Sequence, residues 1–277
     1  MKMQFFKYQG VGNDFILIDN RDSQINHQQP EFIQQLCNRR FGIGADGLLV
    51  LQKKEGYDFE MVYYNANGQP GSMCGNGGRC LVAFAKHLKL IGNETHFLAV
   101  DGPHYATISD AGNWVSLKMI DVDIIKKDHD AFVLDTGSPH YVKLVTDLDQ
   151  INVFNDGRII RNNSNYNENG INVNFVEDFE DHYFVRTYER GVEDETFACG
   201  TGVTAVALAM AKKKGHFGLI NTPIRVQGGK LNIRFNYDGL RFSDIFLEGP
   251  ATFVFKGEME IESVKAITGD TPVPLEA

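Results

Sequence analysis

The chain has 277 residues, 43% of them hydrophobic, and carries 27 Lys and Arg against 36 Asp and Glu, a formal net charge of −9. That length is long for one domain and comfortable for two of about 120–150 residues. An acidic surface repels phosphate backbones, so a nucleic-acid partner is excluded unless a local basic patch exists. The basic run Lys212–Lys214 reads as a helix end.

No membrane partner is expected either. The longest apolar run, inside Val203–Ala211, is too short to span a bilayer. The opening MKMQFFKYQG has a lysine but no apolar stretch of the signal-peptide kind. Four Cys in a chain of this size are no disulfide framework. Free thiols in a reducing, cytoplasmic compartment are expected.

Along the chain, Phe15–Ile18 reads as a strand. A helix starts at Pro30, suited to the first helical position, with Phe32, Ile33, Leu36 and Cys37 on one face. Phe59–Tyr64 is a strand, and a helix follows Cys74 to about Leu90. Strands follow at Thr95–Val100, Trp114–Met119 and Tyr141–Val145. The polar stretch Asn155–Gly170 reads as a surface loop. Ile171–Val176 and His182–Tyr188 are strands. A helix after Cys199 ends at KKKG, with cations in its last turn and a glycine just past it. Leu231–Phe235 and Thr252–Phe255 complete the strands.

The helix after Cys199 is apolar all round from Val203 to Ala211 except at Thr204, and Leu81–Ala85 nearly encircle the helix after Cys74. Such helices must be enclosed by protein. With many strands and few helices, each is expected inside a curved sheet. The fold class is therefore α+β, in two pseudo-symmetric strand-rich halves, each a barrel-like sheet around a central helix. The halves are 1–119 with Cys74 and 120–255 with Cys199. A C-terminal strand at about 256–277 is expected to complete the first.

Both helices open with the same device, MCGNGGRC at Met73–Cys80 and ACGTG at Ala198–Gly202. A helix N-terminus offers unpaired N–H groups and about half a positive charge. Bare glycine backbone lets a carboxylate approach, and the same field favours thiolate on an adjacent cysteine. Two such sites suit inversion at a carbon bearing hydrogen: one thiolate removes the proton and the opposite thiol returns one to the other face. The developing dianionic carboxylate is held by the helix N-termini, with no metal or pyridoxal phosphate. Cys37 and Cys80 read as buried small hydrophobes. Cys74, Cys80 and His87 lack Cys-x-x-Cys spacing, so no metal is expected.

GVGNDFILID (Gly10–Asp19), NRRFGIGADG (Asn38–Gly47), YNANGQPGSMCGNGGRC (Tyr64–Cys80), TGSPH (Thr136–His140), INVNF (Ile171–Phe175) and YERGVEDETFACGTG (Tyr188–Gly202) together resemble the diaminopimelate epimerases, end to end and in order. The cysteine pair alone fits the wider group of cofactor-independent racemases, of proline or histidine type. The proline racemase branch typically has His two residues after the first Cys; here Asn76 stands there.

The resemblance implies a cleft between two α/β halves, interconversion of LL- and meso-2,6-diaminopimelate without cofactor, a role in lysine and peptidoglycan synthesis, and a homodimer. It makes Cys74 proton donor and Cys199 acceptor in one direction, with Gly75, Asn76, Gly200 and Thr201 holding the reacting carboxylate. Arg190 then grips the distal carboxylate of this small amino-acid substrate, while Asn13, Asn65, Asn172 and Glu189 supply further contacts. His140 and Glu189 are expected to tune the thiols. Three departures stand out: Ser138 replaces a common Asn, Gly47 replaces a substrate-facing Gln of some members, and the spacing from Arg190 to Cys199 is one residue longer than the commonest.

Overall fold

The computed structural model describes residues 2–23, 25–27 and 29–260. Its first series is β1 (Lys2–Gly10), β2 (Asn13–Asp19), α1 (Pro30–Cys37), β3 (Gly47–Gln52), β4 (Phe59–Asn65), α2 (Gly75–His87), β5 (Glu94–Ala99), β6 (Gly102–Ile108) and β7 (Trp114–Lys118). After β8 (Ile125–Asp128) comes a second series: β9 (Ala131–Asp135), β10 (Pro139–Leu144), α3 (Val153–Arg161), β11 (Asn172–Asp178), β12 (Tyr183–Glu189), the short β13 (Asp194–Thr196), α4 (Gly200–Lys214), β14 (Gly218–Val226), β15 (Gly229–Tyr237) and β16 (Phe242–Pro250). The last described strand is β17 (Thr252–Glu260).

The two series follow one course. β1–β2, β3–β4 and β5–β6–β7 pair antiparallel, whereas β2–β3 and β4–β5 are parallel. β9–β10, β11–β12 and β14–β15–β16 repeat the antiparallel steps; β10–β11 and β12–β14 repeat the parallel ones. A parallel step needs a crossover. Here each carries a helix: α1 and α2 in one series, α3 and α4 in the other. β7 pairs with β16, joining the sheets, and β17 pairs with β1.

α2 and α4 run inside the two curled sheets. Gly75–Ala85 are all buried along α2, as are Gly202–Ala211 along α4. Phe15, Leu49, Phe59, Phe97 and Leu117 pack around α2; Val142, Val176, Ile224, Ile233 and Leu247 pack around α4. Burial at about 25 cal/mol per Å² of apolar surface holds each helix in place. The turn between β1 and β2 bolts the halves together. Val11 takes φ 48°, a strained value for a β-branched residue, yet is 2% exposed and sits in the core around α4.

The α+β class and the paired central helices stand as expected. α4 ends on Gly215 at φ 65°, with Lys212–Lys214 in its last turn. α2 stops at His87 instead of about Leu90, because Lys89 turns to φ 56°. Asn155–Gly170 is not all loop: α3 covers Val153–Arg161, capped by Asn152, whose side chain accepts from the Asn155 N–H at 3.0 Å. The polar composition concealed it, because only Val153 and Gly157 are buried. Of the completing strand expected at about 256–277, residues 256–260 belong to β17 and 261–277 lie outside the described residues. Among the described residues, no helix is long and apolar enough to cross a membrane.

Gly157 lets α3 lie against β12, since a Cβ there would sit 2.4 Å from Tyr188 Cβ. Alanine normally stabilises a helix interior over glycine by about 1 kcal/mol. Overpacking reverses the sign here. Gly157→Ala is expected to destabilise the fold by about 1–3 kcal/mol in urea denaturation; a gain in stability would refute this contact.

Candidate active site

Cys74 and Cys199 are the N-cap residues of α2 and α4, with near-identical backbone angles: φ −111°, ψ 117° and φ −113°, ψ 114°. The Gly77 N–H donates to Cys74 Sγ at 3.5 Å, whereas the Cys199 side chain accepts no capping hydrogen bond. The helices meet N-terminus to N-terminus through glycine. A Cβ built on Gly200 would lie 3.4 Å from the Gly75 Cα, and Cβ atoms on Gly75 and Gly200 would come within 2.8 and 2.9 Å of the same Leu247 methyl. Two positive helix ends brought this close favour an anion between them.

The motifs around Asn13 build one wall. Asp46, at the end of GIGAD, accepts from Asn13 Nδ2 at 2.6 Å and from the Asp14 N–H at 3.1 Å. Arg39 fixes both acids, donating to Asp14 at 2.6 and 3.0 Å and to Asp46 at 2.8 Å. Lys7, buried on β1, adds an ion pair to Asp14 at 2.7 Å. The carboxamide oxygen of Asn13 is thereby aimed at the site. It accepts from Cys74 Sγ at 3.7 Å and from Asn76 Nδ2 at 3.3 Å. Asn76 also donates across the seam to the Ala198 carbonyl at 3.0 Å. Asn65, half-buried, closes β4 opposite Gly47.

The other wall comes from β10–β13. Glu189 ends β12, beside the Cys199 thiol, and accepts from Thr196 Oγ1 at 2.8 Å. Thr201 Oγ1 is 3.5 Å from Cys199 Sγ. Asn172 accepts from the Arg190 N–H at 2.9 Å and donates to Ser138 Oγ at 2.9 Å; Arg190 reaches the same hydroxyl at 3.4 Å. Ser138 thus links Asn172 and Arg190. The β12–β13 hairpin lies between Arg190 and Cys199, with Glu189 paired to Asp194.

Burial pushes the Cys74 thiol up to about 11; the Gly77 and Asn76 N–H groups and the charge of Arg79 pull against it, and Glu189 adds to it. Burial raises Cys199 further, and Glu189 is its next largest cause. Glu189 is itself raised by burial, against hydrogen bonds from Thr196 and Cys199. Burial, then the positive charge of Arg190, drives His140 down to about 3. The ring is therefore neutral. It accepts at Nδ1 from Asn174 Nδ2 at 3.1 Å and leaves Nε2 without a hydrogen-bond partner among the described residues. Any tuning of the thiols by His140 passes through a neutral N–H, not an imidazolium.

Asp14, Arg39 and Asp46 lie within the sequence motifs but act only as supports, holding one another and Asn13. Asn174, fully buried, holds His140 and accepts from Thr187 at 3.0 Å. A Cβ on Gly47 would be 2.6 Å from Tyr63 Cε2, and one on Gly71 would be 2.3 Å from Tyr63 Cδ1. The Tyr63 ring therefore fills the place that a longer side chain at 47 would take. Cys37 and Cys80 are 3% and 0% exposed inside the apolar cores.

A family model described as diaminopimelate epimerase matches residues 5–125 and 132–254. This chain belongs to the diaminopimelate epimerase family. It is an isomerase of the epimerase class. A diaminopimelate epimerase from Flavobacterium psychrophilum is 52% identical, over 92% of this chain and 99% of the relative. One from Chlorobaculum tepidum is 41% identical, over 91% and 99%. Among solved structures, a Bacillus anthracis PhzF-family phenazine biosynthesis protein matches with TM-score 0.75 at 14% identity, covering 94% of this chain and 99% of that one. A hydroxyproline epimerase from Agrobacterium vitis matches with TM-score 0.67 at 14% identity, covering 93% and 92%. These two share the fold of the family.

Glu189 is a negative charge that disfavours thiolate, so removing it favours thiolate. Glu189→Gln is expected to lower the pH midpoint of Cys199 alkylation, read by mass spectrometry at that residue. A rise would show that Glu189 acts mainly as a hydrogen-bond acceptor.

Proposed function

We propose that the protein inverts one stereocentre of LL-2,6-diaminopimelate to give the meso isomer, and the reverse, by a two-base cysteine mechanism without cofactor. The observation that carries this reading is the head-on meeting of two cysteine-capped helix N-termini at Gly75 and Gly200. The α-carboxylate sits against the N–H groups of Gly75, Asn76, Gly200 and Thr201. The thiolate of one cysteine takes the α-hydrogen as a proton. The C–H electron pair delocalises into the carboxylate, where the helix ends stabilise it. The opposite thiol gives its proton to the other face of the carbon. The cysteines have then exchanged charge states, and the reverse turnover restores them.

The distal amino-acid end is held by Arg190, Asn172, Asn65, Asn13 and Glu189. The linkage of Asn172 and Arg190 through Ser138 supports this assignment, because it preorders the guanidinium before substrate arrives. The enzyme serves lysine and peptidoglycan synthesis as a cytoplasmic homodimer, in keeping with the family. The same reading divides the chain into halves at 1–119 and 120–255.

The test is proton NMR of LL-diaminopimelate with the reduced protein in deuterated water. The α-proton signal should fade and meso product accumulate, while Cys74→Ala and Cys199→Ala each lose about 10³-fold or more in kcat. An unchanged diaminopimelate spectrum, with exchange at the α-carbon of proline or histidine, would move the protein to another racemase. Exchange with none of them would leave a carboxylate-binding protein. Arg190→Gln is expected to cost about 10²-fold in kcat/KM, expressed mainly in KM.

A further inference from the structure

Arg79 is among the largest wholly buried side chains of the molecule, at 0% exposure. It lies at the fifth position of α2, and its guanidinium folds back toward the helix N-terminus. It donates to the Gly75 carbonyl at 3.2 Å and to Asn76 Oδ1 at 2.9 Å. Its Nε has no partner, and among the described residues no carboxylate pairs with it. Glycines from both series make room for it: a Cβ on Gly10 would be 3.4 Å from its Nη2, and one on Gly249 would be 3.3 Å from its Nε.

This placement is electrostatically unfavourable for the protein alone. A lone guanidinium is costly to bury, and a cation at a helix N-terminus opposes the helix dipole. Burial holds its pKa down to about 10, still well above neutrality. Two thiols can relieve the charge as anions: first Cys80, enclosed in the apolar core, and then Cys74, the N-cap at the same helix end. The second half lacks the device. The residue five places after Cys199 is Thr204, equally buried, which donates to the Gly200 carbonyl at 2.9 Å. Thr204 repeats the backbone contact of Arg79 without its charge.

We propose that Arg79 breaks the symmetry of the paired sites, serving as the built-in counter-charge that makes Cys74, and not Cys199, the thiol that ionises first. Arg79 is a positioning residue. It acts through Gly75 and Asn76, pinning the Asn76 carboxamide so that Nδ2 faces Asn13 and Ala198. The other ionisable groups acting on Cys74 are Glu189 from β12, Tyr63 from β4, Cys199 from α4 and Cys80 from α2. None of these supplies positive charge. The substrate isomer whose α-hydrogen faces Cys74 therefore meets the more readily ionised of the two thiols.

The inference rests on the two-thiol reading, but its test needs no diaminopimelate. The intact protein is alkylated with iodoacetamide across a pH series, and conversion at Cys74 and Cys199 is read separately by mass spectrometry. In the unaltered chain, Cys74 should have the lower midpoint. Arg79→Met should fold and raise the Cys74 midpoint by about one pH unit or more, with a smaller change at Cys199. Arg79→Lys, which keeps the charge, should stay near the unaltered chain. A lower midpoint at Cys199, an unmoved Cys74 midpoint in Arg79→Met, or a Lys variant shifted as far as the Met variant would overturn the proposal. So would an Arg79→Met chain that does not fold, since the guanidinium would then serve folding. If the midpoints move as expected but diaminopimelate is not turned over, the substrate reading fails and the role of Arg79 stands.

Discussion

The structure depends on bringing two helix N-termini into contact. Each end carries about half a positive charge, so the protein alone gains nothing electrostatically from the juxtaposition. It is forced by enclosure. α2 and α4 are each surrounded by a curled sheet, and the sheets are joined through β7–β16 and by Val11 reaching into the opposite core. The apolar burial of two whole helices outweighs the repulsion of their ends. Glycine at 75 and 200 then lets the ends close to a separation that any side chain would obstruct against Leu247. The result is a meeting point of N–H groups whose charge is complementary to a carboxylate and, still more, to a dianionic one.

The same constraint explains why the thiols are buried rather than exposed. Desolvation raises both, and Glu189 raises them further. A thiol with a high pKa is a stronger base once deprotonated, which suits removal of a weakly acidic α-hydrogen. The fixed Gly77 N–H recovers part of the lost solvation at Cys74, and the Thr201 hydroxyl does so at Cys199. His140 is neutral and so adds no further cation to this region.

Much of this was legible in the sequence, for identifiable reasons. Helices apolar on all sides can only be enclosed, so Val203–Ala211 and Leu81–Ala85 disclosed the architecture without any view of the strands. The duplicated Cys-Gly device disclosed the two cysteine-capped helix ends that meet at Gly75 and Gly200. Strands buried on both faces were harder: β3, GLLVLQ, has no alternation to separate it from a buried helix turn. α3 was hidden because only Val153 and Gly157 of its nine residues are buried. The wall behind Asn13 was also unreadable as a wall. Lys7, Asp14, Arg39 and Asp46 look like solvated charges in one dimension and become a single clamp only when β1, β2 and the loop before β3 are brought together.

The repeated topology also shows what symmetry can and cannot do for an epimerase. Inversion at one carbon is symmetric, and the residues nearest it correspond: Cys74 with Cys199, Gly75 with Gly200, each the N-cap or first residue of its helix. Recognition of a second, distal amino-acid group is not symmetric, and there the corresponding positions diverge. The first residue of β3 is Gly47 where that of β11 is Asn172; the last of β4 is Asn65 where that of β12 is Glu189. Thr204 stands where the first half has Arg79. Each divergence adds charge or a hydrogen-bonding group to one side of a pseudo-twofold pocket. A duplicated fold supplies two equal bases at low cost in sequence. On the proposed function, its loss of symmetry at the strand ends and one turn inside the helices is what distinguishes the two faces of the substrate and the two ends of its chain.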